Sequence, residues 1–219
     1  VYDRAAETWI STGENWMSSG EPANSLAVSG STLVFSRPET VASGDLNSDG
    51  DVDDRVIRVY TLTGSVLGEV AALPGRAVED FVVGDQLVAF RTREASQGSD
   101  QNGDGDTLDD VLNVLDPGAG QFFETGNAIT PCPLEACDPR VPYRVRGDTV
   151  SYVTSEMDQN SDAGGVDLNG DGDRTDLVKQ VFNIPKAAAE GGPFTVVDPH
   201  TGAPYDVYEC ADCSVPVAA

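Results

Sequence analysis

The chain has 219 residues, 37 of them acidic against 13 basic, for a formal charge of −24. That charge repels nucleic acid and anionic membrane surfaces, and no apolar run reaches the about 20 residues that a membrane span needs. Hydrophobic residues still make up 39% of the chain, enough to bury the core of one large domain or two small ones.

The apolar runs are short and strand-like throughout. Val1-Tyr2-Asp3 and the later Trp9-Ile10-Ser11-Thr12-Gly13 match Val114-Leu115-Asp116 and Phe122-Phe123-Glu124-Thr125-Gly126 at the same spacing. Residues 1–20 are therefore expected to be the second half of an incomplete repeat. A first full repeat, 21–76, opens with runs at 26–30 and 32–39 separated by a Gly-centred turn, which is a hairpin signal. The second, 77–138, has runs at 81–85 and 87–94, and the third, 139–205, at 143–148 and 150–156. In every copy an aromatic residue stands four positions before a Glu: Phe35 and Glu39, Phe90 and Glu94, Tyr152 and Glu156. Further β-rich runs begin at Val56, Val111 and Val178, and fourth strands are expected near 66–67, 122–123 and 195–197. Helical periodicity is nearly absent, with a single turn expected at 186–190. Residues 206–219 read as a Cys-containing tail. The expected fold is all-β: repeated four-stranded antiparallel meanders, β-propeller blade-like, each with a cation loop between its second and third strands.

The loops carry the chemistry. Asp45-Leu46-Asn47-Ser48-Asp49-Gly50-Asp51 continues to Asp54 and Val56. A second copy places Asp100, Asn102, Asp104, Gly105, Asp106, Asp109 and Val111 at the same positions, and a third places Asp167, Asn169, Asp171, Gly172, Asp173, Asp176 and Val178. All three fit D-x-N-x-D-G-D-x-x-D-x-V, and they hold 14 of the Asp residues. Ca²⁺ binds about six to eight oxygens, with a sharp Gly turn and one bidentate carboxylate as the usual arrangement. Positions one, three and five supply side-chain oxygens here, and position seven (Asp51, Asp106, Asp173) supplies a carbonyl. The bidentate group is the Asp at position ten, with Glu39, Glu94 and Glu156 as further candidate ligands. Three Ca²⁺ sites are expected, and Asp158-Gln159-Asn160-Ser161-Asp162 marks a possible fourth near Asp158.

Four cysteines form two close pairs, read as the disulfides Cys132–Cys137 and Cys210–Cys213 in an oxidising extracellular or cell-surface setting. A zinc site using all four thiolates is the alternative. His200 reads as a turn residue. Trp9 and Trp16 read as core residues that could also stack on a sugar.

These loop positions resemble the EF-hand loop and the DxDxDG loops of dockerins and integrin α-subunit propellers. As a whole the chain resembles bacterial extracellular calcium-binding repeat proteins of β-propeller-like build. Two departures stand out. Position twelve is Val rather than Glu, and strands rather than helices flank the loops, which disfavours a helix-opening sensor. Integrin-type loops place their extra acid at position nine, whereas here it stands at ten.

No G-x-S-x-G, H-E-x-x-H or phosphate-loop motif occurs, and the grouped acids are taken up by the loops, so the chain reads as a non-enzyme. The expected role is a calcium-stabilised structural or interaction module. It would be completed by self-association, as in a filament or surface layer, or by further repeats of the same polypeptide. A carbohydrate-binding or polysaccharide-degrading domain on the same scaffold, with a glycan partner, is the alternative.

Overall fold

Continuous apolar runs in the inner strands and alternating ones at the edges mark sheets covered on both faces. The computed structural model describes residues 1–4, 6–13, 26–71, 73, 75–129, 143–160, 164–190, 194–195 and 206–208. The four cysteines, Trp16, Asp162 and His200 lie outside them, and so do both expected disulfides and the zinc alternative.

A short antiparallel pair, β1 (Tyr2–Asp3) and β2 (Thr8–Trp9), comes first. The first sheet has β3 (Leu26–Ser29), β4 (Thr32–Pro38), β5 (Arg55–Thr63) and β6 (Val66–Glu69) side by side in sequence order. The second has β7 (Asp80–Val83), β8 (Val88–Arg93), β9 (Asp110–Asp116) and β10 (Gln121–Ala128) in the same order. The third has β11 (Tyr143–Arg146), β12 (Thr149–Ser155), β13 (Leu177–Asn183) and β14 (Phe194–Thr195). All pairings are antiparallel, and the protein is predominantly β-sheet. The three sheets are open. The described residues form no propeller ring.

The inner hairpins share one register. Pro38 pairs with Arg55, Arg93 with Asp110 and Ser155 with Leu177, each just before the Glu of one strand and the position-twelve Val of the other. Those valines are fully buried. They also pair with the chain as it leaves the sheet: Val56 with Ala77, Val111 with Ala128, and Val178 with Asp206. In the third sheet this last partner belongs to β15 (Asp206–Tyr208), so residues assigned to a tail from sequence lie on the sheet. The β1–β2 pair follows the register of β9 and β10. Tyr2 faces Trp9 as Leu115 faces Phe122, and the Ala6 amide caps Asp3 at 3.1 Å as the Ala119 amide caps Asp116 at 2.9 Å.

The sheets pack face to face through two cores. Val34, Ile57 and Val59 of the first sheet meet Phe81, Val88, Phe90 and Leu115 of the second. On the opposite face of the second sheet, Ala89, Leu112 and Val114 meet Tyr143, Val150, Tyr152 and Phe182 of the third. The aromatic of each second strand (Phe90, Tyr152) thus plugs into the preceding sheet. Phe35 occupies the same position on the first sheet, stacked on Tyr60 at 5.8 Å beside Leu33. Two helices interrupt the β pattern. The one-turn α1 (Glu94–Gln97) was not expected, and α2 (Ile184–Glu190) begins before the expected turn.

Candidate metal centres

Strand register brings each acidic pair together. Where β4 gives way to the loop, the Glu39 N–H donates to the Asp54 carbonyl at 2.8 Å. Glu94 does the same to Asp109 at 2.9 Å, and Glu156 to Asp176 at 3.0 Å. The last rung of the ladder therefore sets the strand-two Glu opposite the position-ten Asp. The Glu side chains then turn under the loops. Glu39 Oε1 accepts from the Leu46 N–H and, at 3.0 Å, from Asn47 N–H. Glu94 Oε1 accepts from Gln101 and Asn102 (2.6 and 3.2 Å), and Glu156 Oε1 from Leu168 and Asn169 (2.7 and 3.3 Å). Oε2 of Glu94 and of Glu156 accepts from Asp109 N–H and Asp176 N–H.

Each loop is a ladder of Asx turns, in which a side-chain oxygen takes the N–H two or three residues on. In the first loop Asn47 Oδ1 accepts from Asp49, Asp49 Oδ1 from Asp51, and Asp51 Oδ1 from Asp53, at 3.2, 3.1 and 2.9 Å. The same bonds run through Asn102, Asp104 and Asp106, and through Asn169, Asp171 and Asp173. The Gly at position six turns the chain at φ of 108°, 103° and 105° in Gly50, Gly105 and Gly172, a region that side chains rarely enter.

Three groups of acids result, each able to hold a metal ion. Carboxylate oxygens of Glu39, Asp49, Asp51 and Asp54 lie within 4.8 Å of one another, as do those of Glu94, Asp104, Asp106 and Asp109. The third group is Glu156, Asp173 and Asp176. Asp45, Asp100 and Asp167, expected as position-one ligands, stand outside these groups. Both their oxygens accept loop N–H groups, for Asp45 those of Ser48 at 2.5 Å and Gly50 at 3.0 Å. Asp100 and Asp167 repeat that pattern. Asp171 also stands outside the third group. Position seven joins through its carboxylate, where a carbonyl was expected. Among the described residues no fourth group forms, and Asp158 approaches the second loop instead.

Crowded like charges leave a mark on the titration of these acids. Burial, with Asp49 and Asp51 nearby, pushes Asp54 up to about 6. Burial, with the charges of Asp158, Asp104 and Glu94, pushes Asp109 up to about 7, and burial with Asp171 and Asp173 pushes Asp176 up to about 6. Burial also raises Glu94 and Glu156, against the N–H groups that stabilise their anions. Burial opposes ionisation of Asp49, but hydrogen bonds from Asp51, Asp54 and Asn47 outweigh it and hold Asp49 low. One acid pushed up beside one held down is the signature of carboxylates sharing a proton. A cation would supply the missing positive charge. Glu39 is 5% exposed and Asp176 1% exposed, and Glu39 Oε2 and Asp176 Oδ1 are buried without a hydrogen-bond partner, each in its cluster. The donors are all oxygen, which fits hard cations of the Ca²⁺ and Mg²⁺ class and excludes soft-metal sites.

Two arginines answer the acids at the rim of the second centre. Arg91 binds Asp80 through Nε and Nη2 and reaches Asp110 Oδ2 at 2.9 Å, while Arg93 Nε reaches Asp110 Oδ1 at 3.1 Å. The Tyr143 hydroxyl donates to Asp80 Oδ1 at 2.8 Å and so ties the third sheet to this pair.

Two contacts that sequence reasoning missed run between sheets. Asn47 Nδ2 donates to the carbonyl of Ser96 at 2.6 Å, and Asn102 Nδ2 to that of Asp158 at 3.3 Å. Ser96 and Asp158 each stand two residues after the Glu of the next sheet, and that shared offset is the signal that could have found them. Asn169 turns its amide to Asp171 and Asp176 of its own loop.

No family model matches the chain, and no curated protein matches it. Among solved structures it is similar to the apo form of the AtxE2 isopeptidase, at 15% identity and a TM-score of 0.24. The match covers 78% of this chain and 25% of that one. A likeness at that TM-score carries no argument about activity. No helix among the described residues is long and apolar enough to cross a membrane.

Proposed function

We propose that the chain is a calcium-stabilised structural or interaction module of the extracellular space, in which three β meanders are repeats of one blade-like unit, each closed by its own Ca²⁺ loop. The observation that carries this reading is a buried Glu pinned opposite a loop Asp in every sheet, with Glu39 Oε2 and Asp176 Oδ1 left for a cation. Glu39, Asp49, Asp51 and Asp54 hold the first ion, Glu94, Asp104, Asp106 and Asp109 the second, and Glu156, Asp173 and Asp176 the third. The ion's role is electrostatic. It discharges the proton-sharing acids and links strand two to strand three, with no chemistry beyond binding. Abundant extracellular calcium suits loops of this kind. Self-association is supported by exposed apolar surface: Tyr2, Leu26 and Val28 line one hollow with Leu33 and Phe35 of the first sheet, and the exposed Trp9 ring meets Tyr2 at 5.1 Å.

Calorimetric titration tests the reading, with three calcium ions expected per chain. At free calcium of about 100 times Kd, three sites contribute about 8 kcal/mol. For a chain of this size, chelation then lowers the melting temperature by roughly 15–30 °C. A transition unmoved by chelator would sink the metal centres. Sedimentation across a concentration series in calcium tests self-association, and a monomer at every concentration would rule it out.

A further inference from the structure

The first loop does not close on its own sheet alone. The second sheet's α1 turn lies against it: Asn47 Nδ2 donates to the Ser96 carbonyl at 2.6 Å, and the Ser96 side chain stands beside the Asp54 carboxylate, whose anion it favours. The approach is close enough that a Cβ on Gly98, just after that turn, would meet Asp49 Cβ at 2.9 Å. Gly98 caps α1 at φ 65°, and the glycine is what lets the two elements touch. In the same cluster Glu39 Oε2 is buried with nothing to bind. The second loop meets the third sheet in the same way, with Asp158 where Ser96 stands: its carbonyl accepts from Asn102, and its charge acts on Asp109.

We propose that the ion of the first centre is shared between sheets, with Ser96 of the second sheet a further oxygen ligand beside Glu39, Asp49, Asp51 and Asp54. The proposal rests on the calcium reading and adds to it that the ion clamps neighbouring sheets as well as neighbouring strands. A neutral hydroxyl is a weak Ca²⁺ ligand, and ligand charge tunes affinity in such loops. The second centre already has an acid at the equivalent place. Ser96→Asp therefore gives the first centre an acid at the position where Asp158 stands beside the second.

The test is a titration of the full chain with calcium, together with terbium luminescence lifetimes, which count the waters on the bound ions. Ser96→Asp is expected to tighten one of the three binding steps about tenfold and to remove about one bound water, leaving the other two steps in place. Ala95→Asp puts the same charge on the adjacent exposed residue and is expected to do neither. Ser96→Ala is expected to loosen one step about threefold, and it keeps the test decisive if the Asp variant folds poorly. Equal shifts from Ser96→Asp and Ala95→Asp with no loss of water, or a Ser96→Ala titration identical to the parent's, would overturn the sharing and leave the calcium centres standing. A parent chain that takes up no calcium overturns both.

Discussion

The first and third metal centres reach the same arrangement by different connections. Glu39 stands six residues before its loop and Glu156 eleven, and the intervening chain differs in both sequence and shape. Yet each Glu donates its N–H to the position-ten carbonyl, and each Oε1 takes the N–H groups of loop positions two and three. Strand register fixes the meeting of Glu and Asp, and the connection only has to stay out of the way. The centres differ at their edges. Asn47 donates to Ser96 of the next sheet, Asn169 donates to Asp176 of its own loop, and position four is Ser48 in one loop and Gly170 in the other.

The largest expected effect tests whether register alone decides. Glu39→Gln and Glu156→Gln each remove one ligand charge, and in calcium each is expected to lose about 2–3 kcal/mol, the worth of one site at about 100 times Kd. In chelator the ordering reverses at the third centre, because the neutral amide is free of the burial cost, and of the Asp167 charge, that raise Glu156. Urea unfolding with and without calcium reads both. A far smaller loss at Glu156 than at Glu39 would mean that the longer connection weakens the site.

The pH dependence comes next. Asp54, Asp109 and Asp176 titrate at about 6, 7 and 6 in the metal-free fold, above their unfolded values, so the folded state holds more protons between about pH 4 and 7. The stability that these three groups contribute to the metal-stripped protein is therefore fully present below that window and is lost as pH rises through it. With calcium the slope inverts, because the ion replaces those protons. Melting temperatures at three pH values, with metal-stripped and calcium-loaded protein, give the two signs. Parallel slopes would contradict the shared-proton picture.

The smallest effect concerns position four. Ser48 sits at φ 67°, where Gly103 and Gly170 of the other loops sit at 80°. Ser48→Gly is expected to stabilise by up to about 1 kcal/mol through relief of left-handed strain. Gly170→Ala is expected to cost about as much. Denaturant midpoints in calcium measure both, and a destabilising Ser48→Gly would locate the hydroxyl in some contact more valuable than the strain.

Much of this was legible in the sequence because it is encoded locally. The D-x-N-x-D-G-D spacing specifies successive Asx turns within a few residues, and the aromatic-to-Glu spacing specifies a strand end. What escaped depends on distant partners. The strand β15 escaped because its partner Leu177 is far back in the chain, beyond α2 and β14. The α1 turn has no apolar period to announce it and ends on Gly98 against the first loop. Ser96 became visible only once two sheets were brought face to face. Whether the sheets close into a ring depends on twist accumulated between them, which no short motif records.

The bond from the Glu39 N–H to the Asp54 carbonyl carries a kinetic consequence. It joins the two residues next to the connecting loop, the shortest closure in the β4–β5 hairpin, so the cage stands at the end of the ladder where pairing can begin. On the proposed calcium reading, an ion held there is bound as the hairpin closes, and it speeds folding as well as slowing escape from the native state. On the same reading the calcium-loaded protein opens rarely, and proteases that must wait for an open chain seldom meet one.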